Sequence, residues 1–477
     1  MNKNLYFISL GCTRNQVDSE VMIAKLFSSG YSLSNDMKSA DVLVINTCGF
    51  LKEARDEAYS ILDEIFENKK AKAKIIIAGC MANLFSKEIL DKYEIFSIVS
   101  SGNIDKILEV IETPKVLVNN LSYIGEENFE RVITNYQHIA YLKISEGCSK
   151  ACAFCIIPKI KGTLISRSQK SIIEEFKLLI SNGVFEINLI AQDLLDYAKD
   201  RNEKLSFLKL LENILKIKND FWLRLLYVYP DEITDEFIDL IASDKRICKY
   251  LDIPLQHIND RILKKMKRKT SQKKIFSLFE KLRNKIPNIS IRTSLMVGFP
   301  SETKEDFQEL LDFIENYQID HLAVFKYSNE KYAPSYNYPD QIEEKIKDER
   351  FEILTKKQFE LIQKRNKKLI GKTIPVLIDS YNSESDLLAM ARSEGQGYGV
   401  DSNIIINNTI SASGSYGVYL SSAENNIFID SSISANTDDI RDGGIVGDRI
   451  NYFLNCSFNQ SKVGWDVGTT GKIEVQW

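Results

Sequence analysis

Eight cysteines are the residues of this chain best suited to chemistry, and three of them are closely spaced. Cys148, Cys152 and Cys155 form a C-x3-C-x2-C pattern directly after a predicted strand. Thiolates are soft ligands that suit zinc and iron–sulfur clusters. A structural zinc site needs a fourth ligand at a matching spacing, but the next candidates, Cys248 and His257, lie far along the chain. Three thiolates leave one iron of a four-iron cluster open, so that this iron can bind another molecule.

The alternative for this trio is a purely structural role, in which three buried cysteines pack a loop. That alternative is weak, because a loop rarely buries three thiols within eight positions. The spacing therefore favours an iron–sulfur cluster.

Three further cysteines share one position in the predicted fold, just past the carboxyl end of a parallel strand. They are Cys12 after Leu5–Leu10, Cys48 after Val42–Asn46 and Cys80 after Lys74–Ala78. Carboxyl ends of parallel strands share one edge, where ligands bind, and neighbouring strands lie ~4.8 Å apart. Taken singly, each cysteine is more often a small buried apolar residue. Together they predict a second three-thiolate cluster site, with a glycine beside each thiol to let backbone approach closely.

The elements that must position these cysteines alternate between strands and helices, which predicts an α/β fold. Residues 1–125 are expected to form a Rossmann-like parallel sheet, with helices over Ser19–Ser29, Lys52–Asn68 and Lys87–Lys92. Residues 134–370 hold six strand–helix repeats, which predict a partial (βα)6 barrel closed by a helical stretch over Asp340–Leu369. Its strand candidates are Ile139–Ile144, Glu186–Ala191, Trp222–Val228, Tyr250–Ile253, Ile289–Val297 and His321–Lys326.

The carboxyl-terminal part of the chain has a different composition. The last 83 residues hold only 4 of the 62 Lys and Arg residues but 11 of the 22 glycines. Residues 371–407 are predicted to be β-rich. A quasi-repeat follows, in which residues 403–410, 426–433 and 451–458 echo one another. Residues 408–477 are therefore predicted to be a fragment of a parallel β-helix or, with equal weight, a series of Asn- and Ser-rich hairpins.

The overall charge and hydropathy exclude several classes of protein. The net charge of −4 argues against nonspecific electrostatic binding to nucleic acid or to an anionic membrane. No run approaches the ~18 apolar residues of a membrane span. The short apolar stretch at the amino terminus has no small-residue cleavage site, so it is expected to be the first strand and not a signal peptide. We expect a cytoplasmic protein.

The cysteine motifs resemble those of a known enzyme family. The C-x3-C-x2-C spacing, with Phe154 before the last cysteine, is similar to the motif of the radical S-adenosylmethionine (SAM) superfamily. Over roughly residues 1–407 the chain resembles the methylthiotransferases of that superfamily, through the segments 9–20, 40–50, 78–80 and 158–162. The resemblance implies two 4Fe-4S clusters and SAM as cofactors. Cys12, Cys48 and Cys80 would hold an auxiliary cluster, and Cys148, Cys152 and Cys155 the radical cluster.

The same resemblance assigns a role to each part of the chain. Residues 1–125 would be the auxiliary-cluster domain, residues 134–370 the radical SAM barrel, and residues 371–407 the opening of a TRAM β-barrel. The later TRAM strands are absent and the repeat tail stands in their place, so substrate docking is expected to be impaired even where the cluster chemistry is intact. A half-barrel also leaves unpaired strand edges.

Four segments are similar to the RimO branch of the family: residues 144–147, 190–193, 226–230 and 252–257. This resemblance implies methylthiolation of the β-carbon of an aspartate in small-subunit ribosomal protein twelve, by a radical route because no side-chain base removes that hydrogen. It also implies an electron donor such as flavodoxin or ferredoxin, and we expect a monomer without membrane association. The alternatives are a tRNA 2-methylthioadenosine methylthiotransferase, which the charge disfavours, and a non-enzymatic binder that uses its tail.

Several polar residues at the barrel mouth are predicted to contact SAM. For each of them, a hydrogen bond within the protein at the barrel mouth, without any ligand, is an equally weighted alternative. Arg292 is expected to reach the SAM carboxylate, since a guanidinium can donate two parallel hydrogen bonds to a carboxylate. Gly298 lies in a segment that resembles the adenine side of the family's site, where it would allow close approach. The complete predicted set is Phe154, Gln192, Arg224, Gln256, Arg292 and Gly298. His138, His257 and His321 are expected to be structural, and Cys248 and Cys456 unliganded.

Overall fold

The computed structural model describes residues 3–118, 124–125, 131–203, 206–370, 372–382 and 385–407, and then separate strand segments between residues 410 and 476. The chain forms two compact units. One comprises Met1–Ile247 with Leu251–Lys357, and the other comprises Cys248–Tyr250 with Gln358–Trp477.

The first unit begins with a six-stranded parallel sheet in the order β2-β1-β3-β4-β5-β6. The strands are β1 (Lys3–Ser9), β2 (Tyr31–Leu33), β3 (Val42–Thr47), β4 (Lys74–Gly79), β5 (Ser97–Ser100) and β6 (Val116–Leu117). The helices are α1 (Thr13–Ser28), α2 (Lys52–Asn68), α3 (Cys80–Lys92) and α4 (Ile107–Glu112). Central strands such as β3 are buried along their whole length, because apolar clusters cover both faces of the sheet. The Rossmann-like prediction is confirmed.

Two boundaries in this sheet differ from the prediction. Helix α1 begins at Thr13 and not at Ser19, because its first turn carries polar residues that pack inward, where an amphipathic pattern gives no signal. Helix α3 begins at Cys80 and not at Lys87. Strands β2, β5 and β6 were not predicted, since two to four residues give too few positions for a period to show.

The barrel of the first unit has six strands in the order β14-β13-β12-β11-β10-β7, the sequential order of a partial (βα)6 barrel. A small antiparallel pair, β8 with β9, adjoins it. The strands are β7 (Ile139–Lys143), β8 (Ser145–Glu146), β9 (Ile165–Ser166), β10 (Glu186–Ile190), β11 (Trp222–Leu225), β12 (Ile247–Asp252), β13 (Ser290–Val297) and β14 (His321–Lys326). The helices are α5 (Ile157–Lys161), α6 (Gln169–Ser181), α7 (Ser206–Leu215), α8 (Asp235–Ser243), α9 (Asp260–Lys265), α10 (Gln272–Lys285) and α11 (Lys304–Tyr317). They are followed by α12 (Glu344–Lys367), whose residues from Gln358 onward belong to the second unit.

Local sequence explains where the barrel helices begin. Thr303 precedes α11 and accepts a hydrogen bond from the backbone N–H of Asp306, while the Asp306 carboxylate accepts one from the N–H of Thr303. This capping box satisfies two N–H groups that have no partner within the helix. Ser168, Thr234 and Ser271 cap α6, α8 and α10 in the simpler way, with one side-chain oxygen each.

The second unit is β-rich. Strands β15 (Leu377–Asn382), β16 (Ser385–Arg392) and β17 (Ile404–Asn407) pair antiparallel. In the tail, parallel ladders join strands about 23 residues apart, as in Ile405 with Phe428. These strands are β18 (Ile410–Ser411), β19 (Tyr416–Leu420), β20 (Ile427–Ile429), β21 (Ile433–Ser434), β22 (Asp438–Asp442), β23 (Ile450–Leu454), β24 (Val463–Trp465) and β25 (Lys472–Gln476).

Parallel ladders are what a β-helix makes and what hairpins do not. Much of the segment 408–477, including Cys456, lies outside the described residues, so the β-helix interpretation and the domain boundaries stay predictions. In the described part of the chain, no helix combines the length and the apolar composition needed to cross a bilayer.

Candidate functional site

The three amino-terminal cysteines lie at the carboxyl edge of the first sheet. Cys12 is the residue that caps α1, Cys48 follows β3 directly, and Cys80 opens α3. The backbone at Gly11 lies against Cys48: a Cβ added there would be 2.8 Å from the Cys48 Cβ and 3.4 Å from its Sγ. The Cys80 thiol donates to Asn15 Oδ1, on α1, at 3.2 Å. The fold therefore brings the trio together where the sequence placed it.

Gly79 is the glycine that this edge of the sheet requires. Its φ is +94°, and a Cβ there would lie 2.2 Å from Asn46 Oδ1 and 2.6 Å from the Thr47 carbonyl oxygen. No side chain fits at that distance, and L-residues rarely adopt that conformation. The position just before Cys80 is consequently restricted to glycine by both backbone and packing.

Two cations act on the thiols of this trio. Burial raises the pKa of the Cys12 thiol, but Arg14, the backbone N–H of Asn15 and Lys161 outweigh burial, and the net pKa is lowered. Burial raises the pKa of Cys48, and it raises the pKa of Cys80 to about 12 against the opposing charge of Lys161. Iron binds the thiolate, so the positive charges of Arg14 and Lys161 favour the ligand form.

The second trio occupies the loop between β8 and α5. Backbone N–H groups of Lys150 and Ile157 donate to the sulfurs of Cys148 and Cys155, each at 3.4 Å. The Cys152 sulfur lies 3.2 Å from the hydroxyl of Tyr229, and Arg268 Nη1 donates to the same sulfur at 3.9 Å. Hydrogen bonds to ligating sulfurs are one means by which a protein tunes an iron–sulfur cluster.

The two trios adjoin each other. Cys80 packs in one apolar cluster with Ile156 and Ile160, and Ile156 is the residue after Cys155. Helices α3 and α5 meet here, with the Asn83 amide donating to the Ile160 carbonyl. The sheet and the barrel therefore place both predicted cluster sites on one boundary.

A buried group of four charges lies beside that boundary. Asp18 on α1 faces Lys143 at the end of β7 and Lys161 at the end of α5, with the Lys161 Nζ 3.5 Å from its Oδ2. The Glu146 Oε2 accepts from Lys143 at 3.1 Å and from Lys161 at 3.2 Å. All four side chains are at most 5% exposed. We call Asp18, Lys143, Glu146 and Lys161 the buried quartet.

No role was predicted for this quartet from the sequence. Asp18, Glu146 and Lys161 lie inside segments already noted for their family resemblance, which was the available signal, and Lys143 directly precedes one of these segments. Charged residues are ordinarily expected at the surface, so their burial could not be read from the chain.

The donor set fits an iron–sulfur cluster better than a single ion. In the described part of the chain, no group of three or more His, Cys, Asp or Glu residues is close enough to hold one metal ion. In a cubane each thiolate binds a different iron, so its ligands stand farther apart than those around one ion. Three thiolates at each site would leave one iron of a four-iron cluster open.

Comparisons with known proteins agree with this geometry. Residues 4–101 match the uncharacterized protein family UPF0004, and residues 142–314 match the radical SAM superfamily. The chain is 45% identical over 407 residues to the ribosomal protein uS12 methylthiotransferase RimO of Protochlamydia amoebophila, covering 84% of this chain and 86% of that one. It is 48% identical over 415 residues to RimO of Chlamydia pneumoniae, covering 85% and 88%.

The chain belongs to the RimO family. A solved structure supports the fold alone: the radical SAM methyltransferase TsrM from Kitasatospora setae, with cobalamin and a [4Fe-4S] cluster bound, superposes with a TM-score of 0.52 at 13% identity. That match covers 70% of this chain and 77% of TsrM.

The residues predicted to contact SAM in this RimO-family chain lie in different environments. Gln192 donates to Glu146, and its buried Oε1 has no hydrogen-bond partner among the described residues. A buried acceptor without a partner suits the amino group of SAM. Gln256 has a φ of +73°, and its amide donates to the Ser294 hydroxyl at 3.0 Å.

The two arginines of that set are already engaged by carboxylates. Arg224 is fully buried in β11, one residue before the strand ends, and its Nε donates to Glu186 at 2.7 Å. Arg292 Nη1 lies 3.5 Å from Asp252 Oδ1. Their contacts with SAM stay predictions. For Arg224, the ion pair with Glu186 is by itself a structural reason for a buried arginine at this position.

The protein neighbour of Gly298 is Lys347, and the predicted contact of this glycine with SAM stays a prediction. Its φ is +75°, and a Cβ there would lie 2.3 Å from the Lys347 Cγ of α12. Phe154 packs on the apolar cluster that contains Phe299 and Tyr327. The glycine thus makes room for Lys347.

His257 has a partner in its own loop, and the cavity beside Phe207 holds none of the predicted site residues. His257 is fully buried and its Nδ1 accepts from the Asn259 N–H at 3.0 Å, which suits a structural role. A cavity of about 690 Å³ on the barrel flank is lined by residues that include Tyr197, Phe207 and Phe237. None of the predicted site residues lines it, so it is not the candidate site.

Proposed function

We propose that this chain adds a methylthio group to the β-carbon of an aspartate in ribosomal protein uS12, with two 4Fe-4S clusters and SAM. The observation that carries the proposal is the pair of three-cysteine sites that adjoin each other across the sheet–barrel boundary. The identity to RimO proteins over most of both chains supports this substrate.

Each cofactor has residues suited to hold it. Cys12, Cys48 and Cys80 would hold one cluster. The trio of the β8–α5 loop would hold the other, with SAM at its open iron and beside Gln192. When bound, these groups supply an electron, a radical able to take hydrogen from an unactivated carbon, and the methylthio group.

The chain itself contributes position and electrostatics. The buried quartet joins α1 to the ends of β7 and α5, which fixes the spacing between the two trios. Arg268 lies with its guanidinium 3.7 Å from the ring centre of Tyr229, beside Cys152, where its charge offsets that of a thiolate. Apolar residues around Cys80, including Phe50, Ile156 and Tyr332, keep water from the boundary.

We also propose that a small electron-transfer protein such as flavodoxin or ferredoxin reduces the chain, that the chain acts as a monomer in the cytoplasm, and that its incomplete TRAM-like segment docks substrate weakly. The described part of that segment, β15 to β17, is held by an ion pair in which Arg392 donates to both oxygens of Asp379, at 2.6 and 2.8 Å.

The test is anaerobic reconstitution with iron and sulfide, followed by reduction with dithionite and separate incubation of the reduced chain and SAM with uS12 and with tRNA. We expect the mass of a methylthio group on uS12 and none on tRNA. A variant with Cys148, Cys152 and Cys155 changed to Ala is the control and should modify neither. Modified tRNA would establish the alternative activity, and an iron and sulfide content near zero would favour a non-enzymatic binder.

A further inference from the structure

The charge of Arg14 acts on both cysteine sites. Arg14 stands two residues after Cys12 on α1, and its Nη1 donates to the carbonyl oxygen of Ala191, just past β10, at 2.9 Å. Its guanidinium lies 5.2 Å from the ring centre of Tyr227, just past β11. Its positive charge acts on Cys12 in the first trio and on Cys155 in the second.

The buried quartet forms no ion pair with Arg14, although the charge of Glu146 acts on it. Two carboxylates face two lysines within the quartet, and the second oxygen of Glu146 accepts from Gln192. In the described part of the chain, no carboxylate forms an ion pair with Arg14. A guanidinium has five N–H donors, and the hydrogen bond to Ala191 uses one of them.

The residue is also partly open, unlike the quartet. Arg14 is half-buried, whereas Lys143 and Lys161 are at most 5% exposed. Tyr227, which lies under the guanidinium, has a φ of +65°, in the left-handed region that residues other than glycine seldom adopt. Strain of this kind is concentrated at ligand sites, where the surrounding fold holds it.

The chemistry of the substrate requires an anchor at this place. The reacting β-carbon of an aspartate is bonded directly to the side-chain carboxylate. Its hydrogen must leave on the barrel side and the methylthio group must arrive from the sheet side, so the carboxylate has to be held between the two cysteine sites. A bidentate guanidinium–carboxylate pair fixes the position of the attached carbon.

We propose that Arg14 binds the side-chain carboxylate of the substrate aspartate and is the residue that selects aspartate over asparagine. This inference rests on the proposed function. The other carboxylate available is that of SAM, for which Arg292 and the barrel mouth are the predicted partners. Arg14 belongs to helix α1 of the amino-terminal sheet, whereas Arg292 belongs to the barrel. Arg14 is therefore better placed than Arg292 to bind the substrate.

The test compares dissociation constants on the anaerobically reconstituted chain, for uS12 carrying either Asp or Asn at the target position, and for SAM. Losing a charged hydrogen-bond pair costs enough to change affinity about tenfold or more. We expect the native chain to prefer Asp by at least about tenfold and Arg14→Gln to bind both forms equally. Arg14→Lys keeps the charge but lacks the paired N–H donors of the guanidinium. Its preference for Asp should therefore lie between those of the native chain and Arg14→Gln.

Controls separate this role from a structural one. Iron content should be the same in all variants, and SAM affinity should be unchanged in Arg14→Gln. Lys170→Gln removes a cation whose side chain is 84% exposed and should preserve the preference for Asp. A preference for Asp that survives in Arg14→Gln would overturn the assignment, as would a loss of SAM affinity with the preference intact. A native chain that does not modify uS12 would instead overturn the proposed function.

Discussion

Asp18 and Lys143 form an ion pair across the boundary between the amino-terminal sheet and the barrel, with side chains 1% and 5% exposed. Helix α1 follows the first strand and Lys143 ends the first barrel strand, so one contact links the two frameworks that carry the cysteine sites. If either partner were removed, the other would be an unpaired buried charge and would strongly destabilise the folded chain.

Removing one partner of this pair should destabilise the chain strongly. Asp18→Asn leaves Lys143 and Lys161 buried with one carboxylate fewer, and we expect a loss of about 3–5 kcal/mol in the free energy of unfolding. Urea titration of the apo chain measures it. Asp56→Asn is the matched control, because Asp56 pairs with Lys52 at the surface, with side chains 60% and 70% exposed. It should cost less than about 1 kcal/mol. Equal losses in the two variants would contradict this account of the boundary.

Each cysteine trio should account for half of the bound iron. The native chain, reconstituted without oxygen, is expected to carry about eight irons, as two four-iron clusters require. Changing Cys12, Cys48 and Cys80 to Ala should leave about four, and so should changing the second trio. Iron and sulfide assays with electron paramagnetic resonance of the reduced samples give the count. If either triple variant kept all of its iron, that trio would not be a cluster site.

Gly79→Ala should disrupt the amino-terminal cluster site. The new Cβ would meet Asn46 and the Thr47 backbone at less than 3 Å, in addition to the cost of a positive φ, which is about 1–2 kcal/mol. We expect a larger loss of stability than that, together with loss of about four irons.

Gly30→Ala is the matched control for that prediction. Gly30 also has a positive φ, +82°, but a Cβ there would have no neighbour within 4 Å. Its cost should be limited to the backbone term, with iron content unchanged. Comparable losses in the two variants, measured by urea titration and iron assay, would show that packing at Gly79 has no special role.

The neighbour of Gly298 can be identified by a pair of substitutions. Gly298→Ala should lose stability, because the Cβ would lie 2.3 Å from Lys347 Cγ. Shortening that neighbour in Gly298→Ala/Lys347→Ala should restore part of the loss, with Lys347→Ala alone as the reference. Thermal unfolding and SAM affinity are the measurements. If the double variant kept its stability but SAM affinity stayed low, the glycine would serve the cofactor as the sequence suggested.

Local patterns were enough to predict much of the fold. Strand β14 (His321–Lys326) and helix α2 (Lys52–Asn68) have the predicted bounds, because regular spacing of apolar residues and clear flanking residues mark them. Helix α1 was placed six residues too late, since its first turn carries polar residues that are buried by tertiary contacts. Local periodicity cannot register burial of that kind.

The chain by itself determined the candidate cysteine sites, because ligand type and spacing are local properties and parallel strands share one carboxyl edge. Only the tertiary structure decided which charges surround them. Asp18 and Lys143 are 125 residues apart, and Arg14 and Ala191 are 177 apart. Such contacts depend on how the sheet packs against the barrel, and a charged residue in sequence gives no sign that packing will bury it beside a partner.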